Sequence, residues 1–377
     1  MKILHVITGL GDGGAEGVLL RLTTSDSTNA HQVISLTHEG VHGLRLGAAG
    51  IPVHALGMPR GRVTLRGLFK LYQLVRRMQP DVVQTWMYHA DLIGGVVARL
   101  AGRGTVVWSI RNASLNAQLI SRTTRWVARL CAWGSRALPT RIVSCSARAA
   151  ERHVAFGYDH RKMVVIPNGY DTSCFAPDLA ARSELRMGLN LGGDVVLLGM
   201  VARWNAQKDH QNLINALSAL ARMPGREWRC LLVGPGMLPE NAELVDLLAS
   251  SGVGDRVVLL GPRRDIPPVM NAIDLHVLSS ASEGFPNVVA EAMASGTPCV
   301  VTDVGDAALI VGETGWVVPA RDSGQLATAI VEAVSAMGDE ASWTRRKRAA
   351  RQRILAHFSL DRMVQAYTEV WHEAAKL

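Results

Sequence analysis

The chain has 377 residues, enough for two domains with separate cores, and its 48% apolar content is ordinary for a soluble globular protein. No run nears the roughly 20 apolar residues that span a bilayer, and residues 1–7 lead into a glycine loop without a small-residue cleavage site. The five scattered cysteines, with no C-x-x-C, exclude a disulfide framework and a zinc site and fit a cytoplasmic location.

Apolar, β-branched runs alternate with helix-length segments, the pattern of parallel sheets wrapped by helices in an α/β fold. The first expected strand, residues 2–7, runs into Gly9-Leu10-Gly11-Asp12-Gly13-Gly14 and a helix beginning near Ala15. This satisfies G-x-G-x-x-G, and Glu39 after the second strand (32–36) could serve as a ribose acid, so an NAD-dependent oxidoreductase is open at this point. Read more generally, the glycines let backbone N–H groups approach a phosphate at a helix N-terminus.

A basic helix at 65–78 is followed by a strand at 82–84 and then His89, placed for substrate contact beyond the strand's carboxyl end. The next strand, 106–109, leads to Arg111-Asn112, where Arg111 could bind an anion. A helix then sets Arg122, Arg125, Arg129 and Arg136 beside Leu119, Trp126, Val127, Leu130 and Trp133, a basic amphipathic surface suited to an anionic membrane. Charge follows the same bias: residues 1–178 carry 21 Lys/Arg against 10 Asp/Glu, and residues 179–377 carry 19 against 22. No nucleic-acid motif accompanies it, so no nucleic-acid partner is expected.

After a strand at 141–144, the stretch 166–171 (Ile-Pro-Asn-Gly-Tyr-Asp) and then Phe175-Ala176-Pro177-Asp178 mark a turn-rich connection and the expected domain boundary. New strands follow at 195–201, 229–233, 257–260, 275–278 and 299–302, with helices at 325–337, 345–353 and 360–377. Two cations, Arg203 and Lys208, stand directly after the first of these strands, five residues apart. Arginine offers a fork and lysine a point charge to a diphosphate.

Farther on, Glu283 and Glu291 lie eight residues apart around Pro286, which is expected at the first position of a helix. Between the two acids lies a helix N-terminus suited to an anion. Hydroxyl acceptor, anion site and second hydroxyl acceptor match the order of a nucleotide-sugar: hexose, diphosphate, ribose.

The string Glu283-Gly284-Phe285-Pro286-Asn287-Val288-Val289-Ala290-Glu291 resembles the E-x7-E signature of the family 4 retaining glycosyltransferases. Gly13-Gly14-Ala15-Glu16 is similar to that family's G-G-x-E loop, Asn168-Gly169 with Asp171 to its N-G-x-D element, and Arg203/Lys208 to its Arg–Lys pair. The resemblance implies a GT-B fold, two doubly wound Rossmann-like domains facing across a cleft. They would be residues 1–170, with a terminal helix 358–377 packing back, and a donor-binding domain 171–357. It implies hexosyl or N-acetylhexosaminyl transfer from a nucleotide-diphospho-sugar with retention, without a metal or other cofactor, by front-side attack in which the leaving phosphate takes the acceptor's proton. Arg203, Lys208, Glu283 and His89 would act at the reacting centre. Gly13, Gly14, Ser279, Gly284, Phe285, Asn287, Val288 and Glu291 would line the donor pocket. The acceptor would be a sugar or lipid-linked sugar in cell-surface polysaccharide or glycolipid assembly, reached from the cytoplasmic face of the cell membrane. A nucleotide-sugar epimerase or hydrolase on the same architecture is the other reading.

Overall fold

The structure, a computed structural model, describes residues 1–111 and 121–377. Asn112 and Leu119, both named above, lie outside the described residues. The chain forms two compact units, Met1–Gly169 with Leu360–Leu377, and Tyr170–Ser359.

In the first unit the elements run β1 (Lys2–Ile7), α1 (Gly14–Ser25), β2 (Ala30–Ser35), α2 (Gly40–Ala48), β3 (Val53–Ala55), α3 (Leu65–Met78), β4 (Val82–Trp86) and α4 (Tyr88–Leu100). They continue with β5 (Val106–Ile110), α5 (Arg122–Gly134), β6 (Arg141–Ser144), α6 (Ala147–Phe156) and β7 (Met163–Val165). The second unit has α7 (Leu179–Gly188), β8 (Val196–Val201), α8 (His210–Ala221), β9 (Trp228–Val233), α9 (Ala242–Ser251), β10 (Val257–Gly261), α10 (Ile266–Ala272) and β11 (Leu275–Leu278). It is completed by α11 (Asn287–Ala294), β12 (Cys299–Thr302), α12 (Ala307–Val311), β13 (Trp316–Val318), α13 (Ser323–Ala336) and α14 (Glu340–His357). The terminal α15 (Leu360–Lys376) belongs to the first unit.

Both sheets are parallel, in the orders β3-β2-β1-β4-β5-β6-β7 and β10-β9-β8-β11-β12-β13. Their central strands β1, β4, β5, β8 and β11 are buried along their length apart from Lys2, and mostly apolar, because helices cover both faces. The strand order reverses between β1 and β4 in one sheet and between β8 and β11 in the other. Each reversal opens a crevice beyond the carboxyl ends of the two strands, the place where such sheets bind ligands.

Helix starts follow local chemistry. Thr64, Ser121, Ser146 and Asp178 each accept a backbone N–H of the first turn of α3, α5, α6 and α7. The terminal helix docks on unit 1 through Met363, Tyr367, Val370 and Trp371, all buried in one cluster with β1 and α1 residues. Trp371 Nε1 donates to Gln84 Oε1 at 3.0 Å, which satisfies both polar groups inside that core.

Candidate functional site

At the second unit's reversal, two loops meet. The β8 loop carries Arg203 and a short 3-10 turn, Ala206–Lys208. The β11 loop carries Ser279 to Glu283 and enters α11. They are clamped together by the Ala281 N–H on the Gln207 carbonyl at 2.8 Å. Ser279 Oγ lies 3.0 Å from both the Lys208 and the Asp209 carbonyl oxygens. Lys208 Nζ reaches Glu283 Oε1 at 2.6 Å, and Ser280 Oγ donates to the same oxygen at 2.6 Å. The pair is mostly withdrawn from water, with side chains 20% and 12% exposed. Two residues 75 apart in sequence thus form one charged centre. Neither Asp194 nor Asp209, the surface partners a lone lysine here would suggest, takes part. Glu283 Oε2 is left without a partner among the described residues, free to accept from a ligand hydroxyl.

Arg203 is exposed and joins no ion pair among the described residues. Beside it, Gly234 (φ +138) is required because a Cβ there would sit 2.2 Å from the Ala202 carbonyl oxygen. Gly305 (φ +54) supports the other loop. A Cβ at that position would lie 2.3 Å from the Gly284 carbonyl oxygen, and the Asp306 N–H donates to that same oxygen at 3.1 Å.

Two buried histidines lie close enough to feel Lys208. His276 is central in β11, with no hydrogen-bond partner for either ring nitrogen among the described residues. Burial, reinforced by the Lys208 charge, pushes its pKa down to about 3. His210, its ring tilted against Trp204 with centroids 4.9 Å apart, is lowered to about 4 for the same two reasons. Both stay neutral, so no second positive charge builds up behind the lysine. Neither was expected from sequence. The only signals were His210 directly after Asp209 and a polar residue inside an apolar strand.

One expectation needs correction. Pro286 is the N-cap of α11, not its first helical residue: its ψ of 96° is extended and the helix opens at Asn287. Phe285 packs its ring inside the second unit. It is buried, stacked on Tyr170 at 6.5 Å and edge-on to Phe358 at 5.7 Å. Ser279 is fully buried and spends its hydroxyl on the Lys208 turn. Asn287 Oδ1 accepts from Tyr170 Oη at 2.7 Å. Gly284, Asn287, Val288 and Glu291 keep partial exposure along the loop and the first two turns of α11.

In the first unit, the loop after β1 and the loop after β4 are neighbours, since Ile7 pairs with Trp86. Gly13 is the N-cap of α1 and Gly14 its first residue. A Cβ on Gly13 would lie 2.3 Å from Glu16 Oε2, so the glycine makes room for a carboxylate folded over the helix start. Burial raises the pKa of Glu16. An acid there occupies the helix end that a dinucleotide's pyrophosphate would need, which counts against the oxidoreductase reading.

His89 is half-buried in the first turn of α4, its pKa lowered by burial. It follows Met87, whose φ of 72° and ψ of 154° fall in a region that is nearly glycine-only. That turn rests on Asp91, which accepts from Thr85 Oγ1 at 2.5 Å and is pushed up to about 7 by complete burial. Arg111 is not available to an anion. It donates to Ser109 Oγ at 3.0 Å, to Asn168 Oδ1 at 2.6 Å and to Tyr367 Oη, with its guanidinium 4.7 Å from the Trp86 ring centroid. It ties β5 to the end of the unit and to the terminal helix.

Comparison with known proteins places these loops in a family. The family model "Glycosyltransferase Family 4" matches residues 12–173 and "Glycosyl transferases group 1" matches 195–336. A 2-deoxystreptamine glucosyltransferase from Streptomyces kanamyceticus is 30% identical over 286 residues, 68% of this chain and 71% of that protein. A UDP-Gal:alpha-D-GlcNAc-diphosphoundecaprenol alpha-1,3-galactosyltransferase from Escherichia coli is 27% identical over 276 residues, 71% and 70% of the two chains. Among solved structures, Anabaena Alr3699/HepE in complex with UDP superposes with a TM-score of 0.86 at 24% identity, covering 99% of this chain and 100% of that one. The sucrose-phosphate synthase (tll1590) of Thermosynechococcus elongatus does so with a TM-score of 0.79 at 19% identity, covering 99% of each. The chain belongs to family 4 of the glycosyltransferases and has their GT-B fold.

Proposed function

We propose that this glycosyltransferase moves a hexosyl or N-acetylhexosaminyl unit from a nucleotide-diphospho-sugar to a hydroxyl of a lipid-linked sugar, with retention at the anomeric carbon. The observation that carries the reading is the Lys208–Glu283 contact at 2.6 Å. It joins the cation loop and the E-x7-E loop at the strand-order reversal of the second sheet. Departure of the nucleotide leaves charge on its diphosphate. Lys208, held by Glu283, and the amides at the start of α11 are fixed before that charge appears, the condition under which such groups accelerate most, and the exposed Arg203 adds its charge from the same loop. Their positive charge takes the part a metal plays elsewhere, and the leaving phosphate accepts the acceptor's proton. Glu283 Oε2 accepts from the sugar and Glu291, in the second turn of α11, from the ribose. Gly13 and Gly14 face the donor's diphosphate, and His89 contacts the substrate at the reacting centre. Activity on a diphosphoundecaprenol-linked sugar by the Escherichia coli relative supports an anionic, lipid-borne acceptor at a membrane surface.

The test is a panel of UDP-, GDP-, ADP- and dTDP-sugars, scored by thermal shift and by slow nucleotide release without acceptor. One nucleotide series should stabilise the protein, and Glu291→Ala should weaken that nucleotide's affinity, measured by calorimetry. Unchanged affinity in the variant removes Glu291 from the site. Failure of every donor to stabilise the chain refutes the donor assignment.

A further inference from the structure

In the first unit, α4 packs between α3 and α5, and the three share one core on the same side of the sheet. The layer of α1, α2 and α15 belongs to a different cluster. The outward faces of the two layers differ in charge. The three-helix layer carries eight Lys/Arg, four on α3, one on α4 and three on α5, all exposed. Its single acid, Asp91, is completely buried, and none of the eight cations forms an ion pair among the described residues. The opposite layer balances four Lys/Arg with four Asp/Glu.

Large apolar side chains stand among these cations. Trp126 is 67% and Trp133 82% exposed, with Leu130 between them, a stripe at i, i+4 and i+7 of α5. Leu100 on α4 and Leu65 and Phe69 on α3 are exposed as well. On α5 the inward face is supplied by Ala128, Cys131 and Ala132, so packing of the unit does not require the indoles. Leaving two tryptophans in water is unfavourable unless something covers them.

We infer that the outer face of α3, α4 and α5 is a docking surface for an anionic lipid bilayer, on which the enzyme lies without crossing it. This rests on the reading of a lipid-borne acceptor. Arginines draw the face to acidic head groups while indoles and leucines enter the interface, the division of labour of interfacial helices. A second copy of the chain is a poor occupant, since a two-fold contact would set eight cations against eight. No helix of the described residues is long and apolar enough to cross a membrane.

The experiment uses the full chain in flotation with phosphatidylglycerol/phosphatidylcholine vesicles and with phosphatidylcholine alone. The parent should bind the anionic vesicles selectively and be released by salt. Trp126→Ser/Trp133→Ser should weaken partitioning about tenfold or more. Arg122→Gln/Arg125→Gln/Arg129→Gln should weaken it on the order of a hundredfold. Both variants should keep the parent's melting temperature and its stabilisation by nucleotide-sugar. Absence of vesicle binding, or binding untouched by either variant, overturns the proposal. So does a dimer in sedimentation that the tryptophan variant dissolves. Vesicle binding by a chain that no nucleotide-sugar stabilises would support the surface while refuting the donor reading, so the two failures are separable.

Discussion

Gly305→Ala tests whether the loop carrying Glu283 is held by a backbone contact. Gly305 has φ +54, a conformation costing an alanine roughly 1–2 kcal/mol. Its new Cβ would stand 2.3 Å from the Gly284 oxygen and 2.7 Å from the Glu283 oxygen, where 3.0 Å is the practical minimum. One of the two loops must therefore move by about 0.7 Å or more. Overpacking of this kind adds roughly 1–3 kcal/mol, so the total is on the order of 3 kcal/mol, a fall of roughly 6–12 °C in melting temperature. If the Glu283–Gly284 segment is the part that yields, the Lys208–Glu283 contact opens. A misplacement near 1 Å at reacting groups costs about a hundredfold in rate. Calorimetry and turnover with the preferred donor read the two effects separately. A variant melting within about 1 °C of the parent and turning over within about threefold of it would refute the reasoning, because the loop would then not depend on that contact.

Lys208→Ala should lower turnover about a hundred- to a thousandfold while the chain stays folded, since one fixed donor at a developing charge is removed; activity within about threefold removes Lys208 from the reaction. Stability should fall in acid through His276 and His210. Their folded pKa values, about 3 and about 4, lie below the ordinary 6.5, so their contribution is complete above 6.5 and is lost as pH falls toward those values. In urea unfolding, the stability of the parent relative to His276→Leu should fall by about 2 kcal/mol between about pH 7 and about pH 5, and a constant difference contradicts the assignment. Arg111→Lys keeps the charge but loses the fork that joins Ser109, Asn168 and Tyr367, and should cost about 3 kcal/mol. An unchanged melting temperature would show that Arg111 does not fasten the terminal helix.

Ten of the strands were legible as mainly apolar, β-branched runs because a parallel strand covered on both faces is apolar along most of its length. The three that were not, β3, β7 and β13, are three-residue edge strands, Val53–Ala55, Met163–Val165 and Trp316–Val318. Their sheet pairing, not a local pattern, makes them strands. The same local chemistry marked the Gly9–Gly14 turn, the break near 166–171 and the E-x7-E segment, whose glycines, prolines and acids are read from neighbours in sequence.

What sequence spacing could not supply was partnership. Glu283 and Lys208 are 75 residues apart, and only the adjacency of β8 and β11 brings them to 2.6 Å. The same is true of Phe285, turned into the aromatic cluster of Tyr170 and Phe358, and of Arg111, consumed by Asn168 and Tyr367. The sequence alone determined two alternating α/β units and the kinds of side chain at their loops, because backbone preference and burial period are local. Only the tertiary structure decided which of those side chains remain free for a ligand, because a charge or ring is claimed by whatever group the fold sets beside it.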